Sequence, residues 1–167
     1  MTENPQTDAL RLWVILSRAQ SAVAEHARAD FNRHGLTSAE FGAMEALFHK
    51  GPLLLGEVQR KILLSSGGIT YVIDRLEQRG LVERRQCPTD RRASYAALTA
   101  EGAQLMEEIF PQHAAHIQRA LSGLSPQEQR EASALLRKLG HQAAELPLEP
   151  EDSEVRTRMP ASASQAQ

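Results

Sequence analysis

The hydrophobic period of this chain changes at Gly80, and that change limits the possible folds more than any other feature of its 167 residues. Before it, Ile69, Val72, Ile73 and Leu76 recur at the i, i+3, i+4, i+7 spacing of a helix with one apolar face. After it, residues 81–87 and 93–98 read as two strands, with Pro88-Thr89-Asp90 punctuating the turn between them. Ser65-Ser66 can cap the helix and Gly80 ends it, so the sequence predicts a helix over 66–79 and a hairpin carrying Asp90, Arg91 and Arg92 at its tip.

The start signal upstream is specific. Thr37-Ser38-Ala39-Glu40 is a capping box, with Leu36 and Phe41 placed as a hydrophobic staple. That helix continues through Met44, Leu47 and Phe48 and stops at Gly51-Pro52. A further short helix is expected around residues 57–62. Three short helices followed by a two-stranded hairpin make a winged helix-turn-helix lobe over 36–98, with the helix at 66–79 as the candidate for a DNA major groove. Its outward face carries Gly67, Thr70, Tyr71, Asp74, Arg75 and Gln78, groups able to donate and accept hydrogen bonds at base edges and phosphates. Gly67 and Gly68 cost helix propensity, about 1 kcal/mol each relative to alanine. Two explanations stand level: close approach of backbone N–H groups to a phosphate, or relief of crowding against the preceding helix.

Helices flank the lobe. Leu10, Trp13, Val14, Ser17, Ser21, Ala24, Ala27 and Phe31 recur mainly at spacings of three and four, predicting a helix over 8–34 capped by Thr7 or Asp8 and ended by Gly35. Its roughly 39 Å exceed what a small lobe can cover, so part of it should pack on another chain. Thr99 caps a helix to about residue 121, in which Pro111 should kink or interrupt the backbone ladder. Ser125-Pro126-Gln127-Glu128 is a second capping box, opening a helix to about residue 146. Residues 1–7 and the Pro, Glu, Ser, Ala and Gln-rich residues 147–167 are expected to be disordered. The predicted fold class is mainly α with a small β-hairpin wing: a winged helix-turn-helix lobe plus a helical region from 8–35 and 99–146.

Charge gives the first functional sign. Residues 60–92 hold eight basic and four acidic residues, a net of +4, while the rest of the chain holds 11 and 17, a net of −6. A basic middle in an acidic chain is the footprint of an anionic partner. No apolar run approaches the roughly 18 residues of a membrane span, no secretory leader opens the chain, and one cysteine, Cys87, precludes an internal disulfide, so a cytoplasmic protein is expected. There is no phosphate-binding glycine loop and no nucleophile-elbow motif, so neither an enzyme nor a cofactor is expected.

Residues 66–102, SGGITYVIDRLEQRGLVERRQCPTDRRASYAALTAEG, resemble the multiple antibiotic resistance regulator (MarR) family of winged-helix transcription factors. The family pattern is met at Thr70, Ile73-Asp74, Leu76-Glu77, Gly80-Leu81-Val82 with Arg84, then Asp90 with Arg92, then Leu98-Thr99 with Gly102. The resemblance implies a homodimer, joined through the first and last two helices, whose two lobes read a pseudo-palindromic double-stranded DNA. The DNA-contacting set would be Ser65, Ser66, Gly67, Thr70, Tyr71, Arg75, Arg85, Arg91 and Arg92, with Asp90 stiffening the wing. Tyr71 stands where many members carry arginine.

The resemblance also implies a small phenolic or aromatic effector between the dimer region and the lobe, for which Trp13, Arg18, Met44, Phe48, Phe110 and His113 are candidates. The function implied is a sequence-specific regulator, a repressor released by that effector. Three alternatives stay open: redox sensing through Cys87, whose thiol lies among Arg84, Arg85, Arg91 and Arg92; a constitutive DNA-binding protein without effector; and a protein-interaction module with a basic hairpin. His113 and His116 sit at i, i+3 and could begin a zinc site that His26, His34, His49 or His141 completes, but the resemblance implies zinc-sensing members with clusters richer in acidic residues, so no metal is expected.

Overall fold

The computed structural model describes residues 4–62, 66–86 and 93–147. The chain divides into two compact units, residues 1–123 and 124–167. The first holds α1 (Pro5–Asn32), α2 (Ser38–Lys50), β1 (Leu53–Leu54), α3 (Leu55–Ile62), α4 (Ser66–Gln78), β2 (Val82–Gln86), β3 (Ser94–Leu98) and α5 (Ala100–Ala120); the second holds α6 (Pro126–Glu145). Helices α2 to α4 with the hairpin β2–β3 form the expected winged lobe.

The local signals act as elementary chemistry requires. Thr37 Oγ1 accepts from the Glu40 N–H at 3.2 Å while Glu40 Oε2 accepts from the Thr37 N–H at 2.8 Å, closing the capping box of α2. Gly35 and Gly80 adopt φ of +66° and +68°, where a side chain would be strained, and so end α1 and α4. Leu36 and Phe41 are both buried, as a staple requires. In the second unit, Ser125 and Glu128 close the same box at the start of α6, and hydrogen bonds from the Ser125 side chain and backbone hold the Glu128 carboxyl below its usual range. Leu135, Leu136 and Leu139 of α6 are exposed.

Burial follows the apolar stripe of α4. Ile69, Val72, Ile73 and Leu76 are all buried and join a core with Met44, Leu47, Val58, Val82, Met106 and Ile109. Ile73 has no exposed surface. Ile73→Ala is therefore expected to cost about 2–5 kcal/mol of stability, the transfer term plus a cavity that close-packed neighbours cannot fill. Urea denaturation checks this; a midpoint equal to wild type would mean that α4 is not packed as described.

Four expectations need correction. Helix α1 starts at Pro5 rather than at the expected residue 8: Asn4, not Asp8 or Thr7, caps it, its side chain accepting from the Gln6 N–H at 3.1 Å, and Pro5 takes the first-turn position where its missing N–H costs nothing. Helix α3 begins at Leu55, two residues before the expected 57, because the Glu57 carboxylate turns back to accept from the Leu54 N–H at 3.0 Å. The wing has a third strand, β1, antiparallel to β3 with Leu53 opposite Ala96 and Leu54 opposite Tyr95. And Pro111 does not interrupt α5, which runs unbroken from Ala100 to Ala120. The helix is held on both sides of the proline, by buried Met106 and Ile109 before it and by His113 and His116 after it. Residues 1–3 and the tail from 148 onward lie outside the described residues.

The wing is seated on α5 by one close junction. Leu81 of the wing root offers its carbonyl to the Thr99 N–H at 3.1 Å, and Thr99 Oγ1 donates to the Gly80 carbonyl at 2.6 Å while accepting from the Gly102 N–H at 3.0 Å. Gly102 lies so close that an added Cβ would stand 1.9 Å from the Leu81 oxygen.

Candidate nucleic-acid interface

The solvent face of α4 is built by the same period that buries its other side. Thr70, Tyr71, Arg75 and Gln78 are exposed and Asp74 is half-buried. A surface hollow of about 370 Å³ is lined by Tyr71, Asp74, Arg75, Gln78 and Arg79. Hydroxyl, amide and guanidinium groups on one helical face are the donor and acceptor set that reads base edges.

Arg75 is braced rather than free. Its Nε lies 3.0 Å from Oε1 of Glu40, a residue with only 1% of its surface exposed. Its Nη1 donates to the Tyr71 hydroxyl at 3.5 Å, and its guanidinium carbon stands 5.9 Å from the centre of the Tyr71 ring. The hydrogen bond with Tyr71 and the Glu40 carboxylate both push the Arg75 pKa up, and a guanidinium is charged at physiological pH even without that help. Arg79 turns away from this face: its Nη1 donates to the Gly35 carbonyl at 2.8 Å and ties the end of α4 to the α1–α2 corner.

Two further arginines of the basic middle, besides Arg75, are paired with carboxylates. Arg84 of β2 reaches back to α4, pairing Nη1 with Glu77 Oε2 and placing Nη2 2.6 Å from Asp74 Oδ1. The Arg84 N–H also donates to Glu77 Oε1 at 2.9 Å, so side chain and backbone together clamp the wing to the helix. Arg85, expected in the DNA-contacting set, is exposed and paired with Glu83 at 2.6 Å. Ser66 and Gly67 fall in the first turn of α4. Ser65, Cys87, Asp90, Arg91 and Arg92 lie outside the described residues.

The residues expected around an effector do not form one cluster in this chain. Trp13 and Arg18 lie exposed on α1. Met44, three residues from both Phe41 and Leu47, sits on the inward face of α2 and is fully buried in the core. Phe48 and Phe110 are half-buried with ring centres 5.8 Å apart, and His49 meets the Phe110 ring edge-on at 4.7 Å. His113 packs 4.5 Å from the Phe41 ring, with Nδ1 3.0 Å from Oδ2 of Asp30.

Asp30 and Glu40, the two buried carboxylates among the described residues, were not legible as such. Asp30 faces two histidines of α5: His116 Nδ1 lies 2.7 Å from Oδ1, at ion-pair distance but out of line for a hydrogen bond. The available signal was a carboxylate three residues after Ala27, on the apolar face of α1, together with histidines at i, i+3. Among the described residues, no group of three or more His, Cys, Asp or Glu is arranged to hold a metal ion.

Residues 36–94, the lobe itself, match the MarR family model. Over 131 residues the chain is 43% identical to the HTH-type transcriptional regulator MhqR of Bacillus subtilis (strain 168), an alignment covering 78% of this chain and 90% of that one. The chain belongs to the MarR family. It is a DNA-binding transcriptional regulator, not an enzyme. Solved MarR-like structures agree with the fold. One, on the regulation of DNA binding of Bordetella bronchiseptica BpsR by 6-hydroxynicotinic acid, is 31% identical with a TM-score of 0.69, covering 78% of this chain and 98% of that chain. Another, the MarR-family regulator Sco3205 of Streptomyces coelicolor in complex with DNA, is 23% identical with a TM-score of 0.75, covering 84% and 92%. Among the described residues of this MarR protein, no helix is long and apolar enough to cross a membrane.

Proposed function

We propose that this protein is a cytoplasmic homodimeric repressor that reads a pseudo-palindromic operator with α4 and the wing, and that a small aromatic effector releases it. The observation that carries the proposal is the outward face of α4, where a permanently charged, braced Arg75 stands among Thr70, Tyr71 and Gln78 in a net-positive stretch of an acidic chain. In this reading Arg91 and Arg92, which follow β2 in the sequence, carry that charge to a minor groove with Asp90 as their partner, and Arg85, Ser65, Ser66 and Gly67 meet phosphates.

A second copy is favoured by the exposed apolar face of α1. Leu10, Trp13, Val14 and Ile15 are largely exposed on a helix of 28 residues, far more than a solvated helix presents alone. Two-fold symmetry then sets two α4 helices against half-sites one helical turn apart. Regulation of BpsR DNA binding by 6-hydroxynicotinic acid favours an aromatic effector here too. Such an effector acts only by binding the DNA-competent and released conformations with different affinity. Occupying the operator without effector and leaving it with effector gives repression.

Fluorescence anisotropy against duplex DNA from upstream of the protein's own gene, beside a scrambled duplex, tests the proposal. Saturable binding that prefers the upstream duplex is the expected result. Equal binding to both would point to an architectural role, and no binding by a folded dimer to a protein-interaction module. Tyr71→Ala is expected to change the ranking of operator variants, by about 1–3 kcal/mol at the base it reads, and to leave scrambled-duplex binding nearly unchanged. A uniform loss across all duplexes would make Tyr71 a phosphate contact instead.

A further inference from the structure

We propose that Glu40 is a positioning residue for DNA reading: from the buried start of α2 it sets the angle at which Arg75 enters the groove. Nothing in the DNA-contacting set includes it, and it never touches DNA itself. The inference rests on Arg75 as a groove-reading residue.

The geometry is that of a fixed anion behind a flexible cation. Glu40 is held by its own helix cap, Oε2 accepting from the Thr37 N–H at 2.8 Å. That leaves Oε1 buried, with no aligned hydrogen-bond partner, and with Arg75 Nε facing it at 3.0 Å. The far edge of the guanidinium is met by the Tyr71 hydroxyl. Arginine reads a base through a planar fork, and a long side chain reads well only when that plane is set before binding. Anchoring Nε from inside and Nη1 from the side fixes the guanidinium plane at two points.

The second capping box of the chain is an internal control. Ser125 and Glu128 make the same reciprocal pair at 2.8 and 3.3 Å, yet Glu128 is exposed and pairs with no arginine among the described residues. Capping alone therefore does not require a buried glutamate or a cation across from it. The burial of Glu40 and the approach of Arg75 serve something besides the cap.

Glu40→Gln separates the roles, because glutamine at the same position preserves the capping box while removing the charge. The probes are the tightest duplex that the wild-type protein selects from a random pool, and its scrambled counterpart. Glu40→Gln is expected to lower the ratio of specific to scrambled affinity about tenfold, with scrambled binding unchanged or stronger and the thermal midpoint within a few degrees of wild type. In an Arg75→Ala background the same substitution is expected to change the ratio less than twofold. Should Glu40→Gln fail to fold, Glu40→Asp, which keeps the charge but withdraws it by one methylene, is expected to show the same loss of ratio. A ratio unchanged in the single variant that folds, or an equal further loss in the Arg75→Ala background, overturns the proposal. Arg75→Ala alone leaving the ratio unchanged would overturn the role of Arg75 as well.

Discussion

Gly102→Ala should destabilise the protein by about 2–3 kcal/mol or more, although alanine is the better helix former. Propensity favours the substitution by about 1 kcal/mol in a helix interior. Space opposes it. The added methyl would meet the Leu81 carbonyl oxygen at 1.9 Å and its carbon at 2.9 Å, both backbone atoms that cannot rotate aside. Leu81 is also fixed by the hydrogen bond it accepts from Thr99, so relief requires the first turn of α5 to move off the wing root. Overpacking of this kind costs about 1–3 kcal/mol and more where backbone must shift. Gly56→Ala is the matched comparison: its new methyl would meet only the tip of Arg60 at 3.9 Å, and stability should hold or rise by up to about 1 kcal/mol. Parallel urea melts decide. A Gly102→Ala curve at or above the Gly56→Ala curve would mean that α5 does not press on the wing.

The largest effect expected in solution is on salt. Between roughly 50 and roughly 200 mM monovalent salt, operator affinity should fall about 10³-fold, the consequence of releasing counterions from six or more phosphates per dimer. The chain as a whole is acidic, with a formal charge of −2, so its bulk charge would predict repulsion from DNA. A steep salt slope would thus have to come from the local basic stretch. A slope of log affinity against log salt shallower than about −2 would remove most of the proposed phosphate contacts.

Much of the lobe was legible because its signals are local. The α4 stripe, both capping boxes and the turn glycines each act within about one helical turn of themselves, and the structure follows them. What was missed depended on partners distant in sequence. Two residues of β1 cannot display a period of two; they become a strand only because β3 lies beside them. Pro111 reads as a break from local rules, yet neighbours on both sides keep α5 continuous. The interface shows the same division. Periodicity placed Tyr71 and Arg75 on the open face, but not the burial of Asp30 and Glu40, since a charged side chain enters the interior only where a partner from another element meets it. Met44 shows the converse: its apolar side chain suits a core and a cleft equally well, so its full burial was not legible from residue type alone.

The Arg84 clamp bears on the entropy of recognition. A wing on a loose stem would search for its groove separately and lose its own freedom when it docked. Here β2 is tied through both its backbone N–H and its side chain to Glu77 and Asp74 on the wing-facing side of α4. If α4 and the wing dock on DNA as proposed, helix and wing root act as one bivalent tool, and docking either presents the other at an effective concentration set by geometry rather than by tether length. Loosening the clamp would then act chiefly on how long the protein stays on DNA, since the encounter needs only one of the two elements.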